Sequence, residues 1–168
     1  LITGSPANDT ITPLIALDAH ITVISKTGKR TIRLTDFYTG VRKTLLQPDE
    51  MLIDIFFKGM NPDQRGFFIK FALRKAQAIS LVNVATICEF KDDRVINAQI
   101  TLGSVAPTII HATNAEEFLI GKSLEDEVVN QAALLAQKEC QPISDLRGSA
   151  AYRKTIVKVI TKRSLKKL

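Results

Sequence analysis

The chain has 168 residues, 45% of them hydrophobic, with 23 Lys and Arg against 17 Asp and Glu and a formal net charge of +6. That length fits one ordinary domain or two small lobes around a core that needs no staples. Two cysteines, Cys88 and Cys140, cannot by themselves hold an iron–sulfur cluster or a closed zinc site, and no apolar run reaches the roughly 18 residues of a membrane span.

Thr12-Pro13 before LIALDA predicts a helix start, with threonine as cap and proline at the first helical position. Ile21 to Ser25 and Arg30 to Leu34 read as strands joined by a Lys26-Thr27-Gly28-Lys29 hairpin. Asp36 to Gly40 is a loop or single turn, and Met51 to Phe57 a strand whose alternation groups Leu52 with Asp54 and Phe56. Asn61 to Gly66 is made of turn formers and serves as a linker. Strands follow at Phe67 to Leu73, Leu81 to Phe90 and Val95 to Leu102, with a polar turn at Lys91 to Arg94. Helices follow at Asn114 to Ile120, Leu124 to Lys138 and Ser149 to Lys166. Strands followed by helices predict an α+β fold with an antiparallel sheet and helices on one face.

Along Phe67 to Lys75, alternation places Phe67, Ile69, Phe71 and Leu73 on one face and Phe68, Lys70, Ala72 and Arg74 on the other. Two cations on one face of an apolar strand suit an anion or a planar cofactor. From the pattern alone, a strand with one wet face is the simpler account. Asp9, in the turn before the first helix, has the chemistry to accept a hydrogen bond from a flavin imide, although Asp9 and Thr10 also suit a turn on their own. Gly40 to Thr44 is a basic loop with too few glycines for a phosphate-binding loop. His20 and His111 read as isolated, and no serine carries the pattern of a nucleophile elbow. On the last helix, Tyr152, Ile156, Val159 and Ile160 have core spacing, while Arg153, Lys154, Lys158 and Lys162 fill the remainder. The basic tail (Lys158, Lys162, Arg163, Lys166 and Lys167) invites a nucleic-acid reading. Aromatic side chains among the cations are missing, so no nucleic-acid partner is expected.

Four runs carry a resemblance: SPANDTITPLIALDA (Ser5 to Ala19), GVRKTLLQPDE (Gly40 to Glu50), FIKFALRKAQAISLVNVA (Phe68 to Ala85) and PISDLRGSAAYRK (Pro142 to Lys154). In order and spacing they resemble the C-terminal part of the flavin-binding (medium) subunit of xanthine dehydrogenase- and carbon monoxide dehydrogenase-type molybdenum hydroxylases. The resemblance implies residues 1–60 as the second part of a split FAD-binding domain with a small mixed sheet. It implies residues 65–168 as a three-stranded antiparallel sheet packed on a helical bundle. It also implies FAD as cofactor, with [2Fe–2S] clusters and the molybdenum cofactor in partner subunits. Electrons would leave through the flavin to NAD or another acceptor, in a cytoplasmic oxidoreductase. Asp9, Leu52, Lys70 and Ile79 match flavin contacts, Ile79 as an apolar gate at the ring edge. No catalytic or metal-ligating residue is implied in this chain. Residue 1 is not methionine and the family's glycine-rich pyrophosphate loop precedes it, so a fragment is expected, with FAD binding dependent on the missing half. Gly103-Ser104 stands where many relatives have two glycines. A non-catalytic assembly module of the same complex is the alternative expectation.

Overall fold

The computed structural model describes residues 1–168. The first lobe begins with a short helix α1 (Ile11–Ala16), followed by strands β1 (His20–Ser25) and β2 (Gly28–Arg33). Helix α2 (Leu34–Phe37), the hairpin β3 (Tyr38–Gly40) and β4 (Lys43–Thr44), and β5 (Met51–Phe56) complete it. The main sheet has the order β2-β1-β5 and is antiparallel throughout rather than mixed. Ser25 pairs with Gly28, so the β1–β2 turn is two residues, tighter than the four expected.

Two local expectations shift here, each for a physical reason. Helix α1 starts at Ile11, with Thr10 as N-cap and Pro13 as third residue. Proline costs nothing there, because a first-turn N–H has no partner within the helix. Thr12 therefore points inward and is fully buried. In β5, Thr22 pairs with Asp54 and Val23 with Leu52, so Ile53 is an extra, bulged residue. The bulge breaks simple alternation. Leu52 and Ile55, not Leu52 with Asp54 and Phe56, pack on a core of ten buried residues that includes Ile11, Ile21, Val23 and Phe37.

The second lobe is built on β6 (Gln64–Phe71), β7 (Val82–Lys91), β8 (Arg94–Gly103) and β9 (Ile110–His111). They form one antiparallel sheet in the order β6-β7-β8-β9. The fourth strand, only two residues long, is too short to leave a periodic signal. Helices α3 (Thr113–Leu119), α4 (Asp126–Glu139) and α5 (Ala150–Leu165) cover one face and close a core of twenty buried residues. Ser149 caps α5, its Oγ accepting from Tyr152 N–H at 3.2 Å. The inward face of α5 differs from the expected one: Arg153, Ile156, Val157 and Ile160 are buried, whereas Tyr152 is 44% exposed. No helix is long and apolar enough to cross a membrane.

The lobes meet where α1 lies across β7 and β8. Thr12 Oγ1 donates to Asn83 Oδ1 at 2.6 Å, and Thr101 Oγ1 donates to the Thr12 carbonyl at 2.9 Å. The fit requires glycine at 103. A Cβ there would lie 2.0 Å from Asn83 Oδ1 and 2.5 Å from Thr12 Oγ1.

Candidate functional site

The turn that leads into α1 is organised by Asn8. Its Oδ1 accepts from Thr10 N–H at 2.9 Å and from Thr10 Oγ1 at 2.7 Å, while its own N–H donates to the Ser5 carbonyl. Asp9 is thus not the residue that holds the turn, and its carboxylate is free to reach the second lobe. One oxygen accepts from Ser80 Oγ at 2.5 Å and the other from Lys70 Nζ at 2.5 Å. Lys70 Nζ also donates to the Ala78 carbonyl at 2.6 Å.

Lys70 stands at the end of β6, which stops at Phe71. Residues 72–80 loop out and return, closed by Leu81 N–H on the Phe71 carbonyl at 2.8 Å. That return brings Ala78 and Ser80 beside Lys70. It also undoes the expected pair of cations on one strand face, because Arg74 lies in the loop and its guanidinium donates to the Gln77 carbonyl. Ile79, between the two residues that contact Lys70 and Asp9, leaves 54% of its surface exposed.

The structure therefore joins Asp9, Lys70 and Ile79 in one constellation. Leu52 has different surroundings, half-buried against the first-lobe core on β5. The Lys70 and Asp9 side chains are 30% and 39% exposed, so water screens the pair and it is worth at most about 1 kcal/mol to stability. Its value is positional. An ammonium has three N–H groups, and two are spent, leaving one donor beside an exposed apolar side chain.

A cavity of about 390 Å³ opens next to this group, lined by Ser5, Ile79, Ser80, Arg42 and Arg147 among others. The basic loop around Arg42 reaches it by packing on the first turn: Arg42 N–H donates to the Gly4 carbonyl at 3.0 Å. Gly4 has φ +56, and a Cβ there would press on Arg42 Cα at 3.1 Å.

Elsewhere the titratable groups serve the fold. His111 is not isolated. Its Nδ1 lies 2.8 Å from Glu116 Oε1, which also accepts from Ile100 N–H at 2.6 Å, tying β8 to α3. His20 stacks on Phe56. Burial, helped by Glu116, pushes the Cys88 thiol up to about 12, and burial raises Cys140 as well. Neither thiol ionises readily. No group of three or more His, Cys, Asp or Glu side chains is placed to hold a metal. Sequence reasoning passed over Asn8 and Ser80 as site residues. The Asn-x-Thr spacing ahead of a helix was a usable signal for the first, but nothing local marked Ser80.

Residues 67–168 match the family described as the CO dehydrogenase flavoprotein C-terminal domain. Residues 1–57 match the FAD binding domain in molybdopterin dehydrogenase. The chain belongs to this flavoprotein family of molybdenum hydroxylases. It is 30% identical over 166 residues to the carbon monoxide dehydrogenase medium chain of Hydrogenophaga pseudoflava, covering 96% of this chain and 56% of that one. It is also 30% identical over 168 residues to xanthine dehydrogenase of Drosophila subobscura, covering 94% of this chain and 12% of that protein. Among solved structures, the Hydrogenophaga pseudoflava carbon monoxide dehydrogenase superposes with a TM-score of 0.93 at 31% identity, over 98% of this chain and 57% of that one. Quinoline 2-oxidoreductase from Pseudomonas putida 86 gives 0.91 at 29% identity, over 99% and 57%. The chain spans a little over half the length of the medium chains that it matches.

Proposed function

We propose that this chain is the C-terminal portion of an FAD-binding subunit, and that Asp9, Lys70 and Ile79 form its flavin-facing site. The observation that carries the reading is the Asp9–Lys70 contact, which draws one residue from each lobe to a single point and leaves a lysine N–H uncommitted. Bound flavin supplies the redox chemistry, and its reduced form gathers negative charge at the pyrimidine edge. Lys70 offers that edge a donor and a positive charge. Asp9 holds the ammonium in place while offering an acceptor, and Ile79 presents an apolar surface that limits water. Leu52 is retained as a proposed contact on the matched sequence pattern alone. The residues present fit the cofactor in chemistry, with one basic donor, one acid and one apolar wall.

Membership of the family supports a wider role. We place this chain at the flavin end of an electron path that runs from a molybdenum centre and [2Fe–2S] clusters in partner subunits to NAD or another acceptor, in a cytoplasmic, xanthine dehydrogenase-like complex. The preceding half of the flavin subunit is a partner in binding, and the two domains divide near residues 60–65. A docking role for the same region is favoured by the exposure of Leu73 (63%), Ile143 (70%) and Leu146 (107%). It predicts that partner subunits co-purify with a subunit in which both Asp9 and Lys70 are replaced by alanine.

The flavin site is tested by Lys70→Ala and Asp9→Ala in the complete subunit. With Lys70→Ala, FAD affinity falls and the flavin midpoint potential drops by on the order of 30 mV, the equivalent of ~1.4 kcal/mol for a two-electron couple. Unchanged affinity and potential in both variants overturn the assignment.

A further inference from the structure

Arg153 is the charged residue most deeply enclosed in the molecule, at 3% exposure in the first turn of α5. A buried guanidinium is costly unless its N–H groups are used. Nη1 donates to the Leu81 carbonyl at 2.6 Å and the Ser104 carbonyl at 3.1 Å, and Nη2 lies 2.8 Å from Asp145 Oδ1. Nε has no partner. Asp145 is itself steadied by Arg147, whose backbone N–H and guanidinium donate to it at 2.8 and 2.7 Å.

The two carbonyls that Arg153 grips belong to the segments that build the proposed flavin site. Leu81 follows Ser80, the donor to Asp9. Ser104 N–H donates to the Pro6 carbonyl at 2.8 Å, within the turn that carries Asp9, and Ser104 Oγ donates to the Ser80 carbonyl at 3.2 Å. Ser104 makes these bonds from a left-handed backbone, φ +66, a conformation that serine adopts only when its surroundings impose it. One side chain on a regular helix thus anchors three irregular segments of the second lobe, and one of them, through Ser104 N–H, holds the Pro6 turn of the first. Core packing of α5 alone would be served as well by an apolar side chain.

We infer that Arg153 is a positioning residue for the flavin site, fixing the Asp9 turn against the Lys70 loop and so setting where the free Lys70 N–H points. This rests on the reading of Lys70 and Asp9 as flavin contacts.

The test is Arg153→Lys in the complete flavin subunit. Lysine keeps a positive charge near Asp145 but lacks the planar fork that spans two carbonyls. The expected result is FAD binding weakened about tenfold, with the flavin's visible band and midpoint potential shifted in the same direction as in Lys70→Ala. Adding Lys70→Ala to Arg153→Lys then shifts the potential no further than Lys70→Ala alone, because the arginine acts through the lysine. If Lys70→Ala changes affinity and potential while Arg153→Lys changes neither, the inference falls and the flavin site stands. If Lys70→Ala changes nothing, the site reading falls and the inference with it. Should Arg153→Lys fail to fold, Asp145→Asn on the neighbouring turn decides: a potential shift in the same direction supports the positioning role, and no shift overturns it.

Discussion

The first lobe closes ten buried residues around a three-stranded sheet, and the second closes twenty around a longer sheet and three helices. A core as small as the first is marginal alone. It is steadied by the larger lobe, which receives α1 across β7 and β8 and contributes Ile109 to the smaller core. The proposed site lies on that seam. Its residues are held between the lobe with the larger core and the lobe whose small core leans on the contact.

The most direct way to break this arrangement is Gly103→Ala. The added methyl has nowhere to go between Asn83 and Thr12, so a loss of ~3 kcal/mol or more is expected. Urea unfolding followed by separate probes of each lobe then resolves two transitions where the native chain shows one. A single unsplit transition at unchanged midpoint would mean that the seam does not couple the lobes. Matched core truncations sharpen the comparison. Val23→Ala and Val157→Ala each remove a fully buried side chain, one from each lobe, at a cost of ~2 kcal/mol apiece. Hydrogen exchange distinguishes them. Val23→Ala is expected to loosen the first lobe while β7 and β8 stay protected, whereas Val157→Ala loosens both. Equal loosening of both lobes by both variants would show that they are energetic equals.

Smaller effects probe the seam and the outer edge. Ser104→Gly relieves the left-handed backbone but loses the Oγ bond to Ser80, for a net gain of about 0.5 kcal/mol, read as a melting rise of about 1–2 °C. A fall would mean that the hydroxyl matters more than the strain. At the edge of the first lobe, Arg30 donates to Glu50 at 2.6 and 2.8 Å. The Arg30 bond, aided by the Gln47 N–H, holds the Glu50 carboxyl down to about 2. A depressed carboxylate stabilises above its unfolded value, near 4.5, and loses that contribution as pH falls towards about 2. Melting of Glu50→Gln and native chains should therefore differ slightly at pH 7 and converge in acid. A gap that persists at pH 2 would contradict the assignment.

The sequence was readable where a single rule governed. Alternation located β1, β6, β7 and β8, Ser149 marked the start of α5, and the motif order pointed to the family that the comparisons show. It misled where two rules competed. Proline at the third position of α1 was tolerated, so the helix began one residue before Thr12. The bulge at Ile53 re-aimed Leu52. An arginine on a basic helix looked solvent-exposed, yet Arg153 is enclosed because Leu81, Ser104 and Asp145 need its donors. The Asp9–Lys70 contact spans 61 positions, and no local pattern encodes a meeting of that range.

That range has a consequence for how the molecule comes together during synthesis. Helix α1 is made before the second lobe, and Thr12 must wait for Thr101, 89 residues later, before its carbonyl meets that hydroxyl. Contacts of such separation close late, because the chain entropy lost in bringing them together is repaid only by the finished sheet. The Asp9 end of the site is thus made ahead of its partners and stays unformed until β8 is in place. A chain interrupted between Leu81 and Thr101 would carry every residue of the proposed flavin site and still lack the full seam that aligns them.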